Sequence, residues 1–190
     1  SVKIYIDFIS LLKSKFSLRK VEIKTKKIGY KNIKKIFLRT KPSNFKSLVL
    51  NNFEKGETKL NLSLFLDENS NITNFNVNGD ARNIKIRFKN KFYVENTNFS
   101  YLVENDSIFL HSIVGEIDNI KVSGGFVNID TKSELNIKGA LTTKLNLNQN
   151  NLKDLFSELK KNKYFSNMIN IKGVFENEFE IFFDKTLKVK

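Results

Sequence analysis

Glu134 to Leu147 reads "ELNIKGALTTKLNL", and Met168 to Ile181 reads "MINIKGVFENEFEI", the same pattern at an offset of 34 residues. Leu135, Ile137, Gly139, Leu141, Leu145 and Leu147 in the first copy correspond to Ile169, Ile171, Gly173, Phe175, Phe179 and Ile181 in the second. Apolar residues at every second position share one face of a β-strand, because successive side chains point to opposite sides. A glycine inside such a ribbon marks a bulge, a bend or a close approach of backbones. Shorter echoes, Phe75-Asn-Val77-Asn-Gly79 and Ile120-Lys-Val122-Ser-Gly124, carry the glycine in the same place. The expectation is a structural unit stacked along an axis, with glycines bending neighbouring strands at one height so that the sheet curls.

Alternation extends outward from the repeat over most of the chain. Leu60, Leu62, Leu64 and Leu66 share a face in "KLNLSLFLD", followed by Phe75 and Val77, then Ile84, Ile86 and Phe88. Further stripes run through Phe99, Tyr101 and Val103, through Ile120 and Val122, and through Phe175, Phe179, Ile181 and Phe183. Between them lie "DENSN" (Asp67 to Asn71), "VEND" (Val103 to Asp106) and "NQNN" (Asn148 to Asn151), rich in residues that accept tight turns. This is the pattern of an antiparallel β-meander. The single proline, Pro42, marks a loop ahead of the first long stripe.

Two stretches leave the period of two. Asp7 stands as an N-cap before Ile9, Leu11 and Leu12, which predicts a short helix between the strands "VKIYI" and "FSLRKVEIK". Leu152, Leu155, Phe156 and Leu159 fall at helical spacing behind Asn151, which predicts a second. The fold class expected is therefore mostly β, a curved antiparallel meander with two short helices. One segment is expected over residues 1–190, cut from a longer chain, since it opens on Ser1 and closes on "KTLKVK".

A net charge of +13 points towards polyanions, but 29 of the 33 basic residues are lysine and only four are arginine, the residue suited to bidentate phosphate and base recognition. Nucleic acid is not an expected partner. The densest basic run, Lys20 to Lys35, alternates with apolar residues and reads as the outer face of strands. Catalytic chemistry finds little to work with: His111 is the only histidine, and the absence of cysteine removes disulfides and thiolate metal sites. Glu176, Glu178 and Glu180 share a strand face and read as solvated. "DENSN" opens like a calcium loop, but Ile72 stands where that loop needs glycine and Asn78 where it needs a bidentate glutamate. Gly124 and Gly125 precede Phe126 and Val127 rather than a lysine and a helix, so no phosphate loop is present. No enzyme activity, metal or cofactor is expected.

What remains is the apolar face, which must be covered by a second sheet, by helices or by a ligand. The order of elements in "VKIYIDFISLLKSKFSLRKVEIK" (Val2 to Lys24), "GETKLNLSLFLDENSNITNFNVNGDARNIKI" (Gly56 to Ile86) and "NIKGALTTKLNLNQNNLKDLF" (Asn136 to Phe156) resembles the AsmA-like family within the repeating β-groove lipid-transfer proteins. The resemblance implies that the curved meander forms an open, taco-like groove whose apolar lining shelters phospholipid acyl chains between inner and outer membranes. It also implies a periplasmic location, anchorage to the inner membrane through a region outside this segment, and flanking segments of the same chain as neighbours. The expected lining is Leu60, Leu62, Leu64, Leu66, Phe75, Val77, Ile84, Ile86, Phe88, Leu135, Ile137, Leu141, Leu145, Leu147, Ile171, Phe175, Phe179 and Ile181. The competing expectation is a structural or adhesive β module whose apolar face is closed by a second layer.

Overall fold

A computed structural model describes residues 1–12, 17–39, 47, 50–87, 93–118, 120–132, 135–148, 170–184 and 186. The chain begins with β1 (Val2–Ile6), α1 (Phe8–Leu12), β2 (Leu18–Lys24), β3 (Ile28–Gly29) and α2 (Tyr30–Leu38). It continues with β4 (Phe53–Leu66), β5 (Ile72–Arg87), β6 (Tyr93–Glu104), β7 (Ser107–Ile117), β8 (Ile120–Asp130), β9 (Asn136–Asn148) and β10 (Asn170–Phe182). All ten strands form one antiparallel sheet in the order β1-β2-β4-β5-β6-β7-β8-β9-β10, with β3 beside β4. The two outer strands do not meet, so the sheet is open, as the resemblance implies.

Tight connections set this order. Glu104 pairs with Ser107 across the two-residue turn Asn105–Asp106, and Asn105 takes the left-handed conformation such turns require (φ 33°). Asp67 organises the β4–β5 turn by accepting the backbone N–H groups of Asn69 at 2.9 Å and Asn71 at 2.8 Å on Oδ1. The Asn71 side-chain amide also donates to the second carboxylate oxygen, at 3.2 Å.

The first expected helix is present as α1: the Leu11 N–H donates to the Asp7 carbonyl at 3.0 Å, and Arg19 holds the Asp7 carboxylate at 3.0 Å. The second expected helix, behind Asn151, and the loop at Pro42 lie outside the described residues. The basic run Lys20 to Lys35 requires correction. It is strand as far as Lys24 and again at Ile28–Gly29, and Tyr30 to Lys35 begin α2, where Tyr30 packs on Phe53 at 5.0 Å between ring centroids. Lysines at Lys31, Lys34 and Lys35 suit the solvated side of a helix as well as that of a strand.

The repeated sentence turns out to be two neighbours. β9 and β10 pair antiparallel in unbroken register from Asn136↔Phe182 to Asn148↔Asn170. The two copies therefore run in opposite directions, and the glycine of each faces the large residue six positions along in the other, Gly139↔Phe179 and Gly173↔Leu145.

Of the glycines expected to bend the sheet only Gly124 adjoins an irregularity, the register shift between Val122 and Gly124, and the other bends lie elsewhere. Strands β4 to β8 each carry a residue of positive φ at an interior position: Gly56, Asn83, Asn96, Ser112 and Gly125. At each, one extra residue inverts the alternation, so the apolar stripe of β5 passes from Phe75, Val77 and Ala81 to Ile84 and Ile86 without changing face. These are β-bulges, which bend a strand and sharpen its twist. Neighbours are bulged at the same level, so register recovers beyond them; Tyr101↔Leu110 and Val94↔Ile117 lie on either side of the break in β6 and β7.

Burial shows which way the sheet folds. No described side chain is fully enclosed, and the buried apolar residues are Ala81, Ile84, Ile113 and Val122. All four flank bulges on the apolar face, as does buried Thr97 beside Asn96. In a single layer, side chains bury one another only where their own face closes in on them. The bulge row is thus a crease across the strands, concave on the apolar side, and the groove runs perpendicular to the strands.

Candidate functional site

The groove is built in rows, one residue from each strand. Val2, Ile23, Leu62, Val77, Val103, Ile108, Ile129, Ile137 and Ile181 are successive cross-strand partners from one edge of the sheet to the other. Every member is valine, isoleucine or leucine. With strands about 4.8 Å apart, the eight intervals give a hydrocarbon rail of about 38 Å.

The next row toward the crease sets two glycines among larger side chains. Leu60, Gly79, Tyr101, Leu110, Val127, Gly139 and Phe179 are successive partners. Gly79 and Gly139 do share a height, but neither bends its strand. A Cβ on Gly79 would meet the Lys59 carbonyl oxygen and the Tyr101 ring, at 2.9 Å from Cζ; one on Gly139 would meet the Phe126 carbonyl and Phe179 Cζ at 3.1 Å. Each missing side chain leaves room for a neighbouring aromatic ring to lie over the backbone, an arrangement used to shield glycine in sheets. Tyr101 reaches Thr58 with its hydroxyl at 2.8 Å from Oγ1, and burial raises its phenol pKa while that hydrogen bond opposes the rise.

Beyond the crease the facing residues are Gly56, Ile84, Thr97, Gly115, Val122, Thr143 and Phe175, and beyond them Phe53, Ile86, Val94, Ile117 and Ile120. Small residues and threonines gather where the crease is tightest, since a Cβ on Gly115 would collide with Thr97 and one on Gly56 with Ile84. Towards the edges the lining opens to solvent: Val2 and Ile4 are 61% and 59% exposed at β1, and Phe175 is 41% exposed at β10.

Of the expected lining residues, Leu60, Leu62, Leu64, Phe75, Val77, Ile84, Ile86, Leu135, Ile137, Leu141, Leu145, Ile171, Phe175, Phe179 and Ile181 fall on this one face by strand register. Leu66 follows an irregularity at Phe65 and pairs with Ile72 by the turn. Leu147 pairs with Ile171 through its backbone, and Phe88 lies outside the described residues. Unforeseen contributors are Val94, Ile108, Leu110, Ile113, Ile117, Val127 and Ile129. "SIFLHSIVGEI" and "FVNID" hold their apolar residues in alternation too, but the bulge at Ser112 and the glycine pair hide the continuity of the stripe.

The opposite face is largely polar and cross-linked by short side chains, with exposed apolar residues such as Phe65, Phe109, Phe126 and Phe182 set among them. Asn61 donates to Asn78 at 3.0 Å, Asn76 to Glu104 at 2.8 Å, Ser100 to Asp80 at 2.7 Å and Asn136 to Glu180 at 3.0 Å. His111 lies here, stacked on Phe109 at 5.6 Å and within 3.1 Å of Ser112. Among the described residues no cluster of histidine, aspartate and glutamate could hold a metal ion, and no helix is long and apolar enough to cross a membrane.

Neither a scan against family models, nor a search of curated proteins, nor a search of solved structures returns a match for this chain.

Proposed function

We propose that the creased apolar face is a binding groove for phospholipid acyl chains and that the chain is one segment of a lipid conduit in a cell envelope. One observation carries this reading: a single sheet presents an unbroken aliphatic row from edge to edge, and among the described residues no second sheet packs on that face, which α2 touches at one corner where Tyr30 meets Phe53. The competing module with a closed two-layer core needs the partner layer that these residues lack.

The dimensions fit the cargo. The strands from β4 to β10 have 11 to 16 residues, and the crease at Asn83 divides the longest, β5, into arms of about 36 Å and about 13 Å at about 3.3 Å per residue. A leaflet's hydrocarbon is about 15 Å deep, half of a core of about 30 Å. Each methylene withdrawn from water contributes about 0.8 kcal/mol, so unspecific aliphatic rows suffice to retain a chain while head groups stay in solvent. The resemblance to AsmA-like proteins, drawn from the order of elements, supports the same role and suggests a periplasmic setting, inner-membrane anchorage outside this segment and flanking segments that lengthen the groove. Native mass spectrometry of the purified chain tests the proposal: phospholipid should accompany it, and a chain that stays lipid-free after incubation with phospholipid vesicles would refute it.

A further inference from the structure

Among the described residues the last strand of the sheet, β10, has one side without a partner, and its chemistry is patterned. The Phe183 N–H donates to the Leu135 carbonyl at 2.9 Å, and the register behind it is unbroken to Asn170. In an antiparallel ladder each residue turns its N–H and C=O to the same side and the next residue turns both away. Phe175, Asn177, Phe179 and Ile181 therefore bond to β9, while Glu176, Glu178 and Glu180 turn their backbone groups outward. The residues that offer the free backbone are those whose carboxylates line the outer face. Among the described residues none of these three glutamates has a salt bridge, and their cross-strand neighbours on β9 are Thr142, Ala140 and Lys138.

We propose that the free edge of β10 is a docking site for a β-strand of another polypeptide segment that carries lysine or arginine at alternate positions with apolar residues between. Such a strand completes the backbone ladder, sets its cations directly opposite Glu176, Glu178 and Glu180, and lays its apolar residues beside Phe175, Phe179 and Ile181, extending the concave face. Directly opposed opposite charges stabilise a strand pair and like charges weaken it. The same rule disfavours a second copy: β10 paired on β10 about Glu178 would set Glu176 against Glu180. The inference stands whether or not the groove takes lipid.

The test uses the whole chain and an acetylated peptide, Lys-Val-Lys-Val-Lys-Val-Lys, with the glutamate-for-lysine peptide as control. Amide hydrogen exchange should slow at Glu176, Glu178 and Glu180 on adding the lysine peptide, and the control should bind at least about tenfold more weakly. The triple variant E176K/E178K/E180K should reverse the preference, and the milder E178Q should weaken the lysine peptide a few-fold with the sheet intact. Equal binding of both peptides, protection at Val2–Ile6 instead, or protection that grows with protein concentration in the absence of peptide would each overturn the proposal.

Discussion

Gly124 and Gly125 are adjacent in sequence and opposite in what they tolerate. A Cβ on Gly124 meets nothing within 4 Å, whereas Gly125 sits at φ 139° with its missing Cβ pointed at the Ala140 carbonyl and 2.9 Å from Leu141. Gly125→Ala should lower stability by about 1–3 kcal/mol, through backbone strain and overlap. Gly124→Ala should stay within about 0.5 kcal/mol. Urea unfolding of the two variants measures both, and equal midpoints would place the bend elsewhere. Asp67 gives a second residue-scale prediction. The Asn71 backbone N–H, then its side-chain amide, and the Asn69 N–H stabilise the carboxylate, which lowers its pKa. A depressed folded pKa contributes stability above the unfolded value of about 3.9, and that stability is lost as pH falls through the folded value. Asp67→Ala should therefore melt below the wild type at neutral pH, with the gap closing as the medium is acidified below about pH 4; a gap independent of pH would show that the charge has no part in the turn.

At the scale of the strand, the decisive elements are bulges that turn a simple alternation into a creased one. Asn96 and Ser112 hold φ of 49° and 55°, a region that costs an ordinary L-residue about 1–2 kcal/mol and glycine little. Replacing either with glycine should leave stability unchanged or raised, and replacing either with valine should lower it by about 1–2 kcal/mol. Chemical denaturation of the four variants separates these outcomes, and valine variants as stable as the glycine ones would contradict a left-handed bulge. The same elements explain what sequence could and could not convey. Period two is local, so strand existence, the face assignments within each arm, the Asp7 cap and the turns at Asp67 and Asn105 were legible. The bulges were not, because asparagine and serine are common throughout this chain and only pairing reveals that Asn83 or Ser112 is the extra residue. The glycines misled for a physical reason: Gly79 and Gly139 are absent side chains beneath Tyr101 and Phe179, a packing role that sequence does not distinguish from a hinge.

At the scale of the whole molecule, five matched bulges crease one sheet into two arms, and a row of nine aliphatic residues runs the length of the cleft between them. Both edges remain open, so the apolar rows reach the ends of the sheet without a cap from the described residues. Placing a photoreactive benzoylphenylalanine at Val77 or Ile137, inside the cleft, and at their neighbours Asn78 or Lys138, outside it, tests the central claim most directly. With phospholipid vesicles present, the inner pair should yield lipid adducts and the outer pair should not. Adducts from all four positions alike, or from none, would contradict a groove that shelters acyl chains.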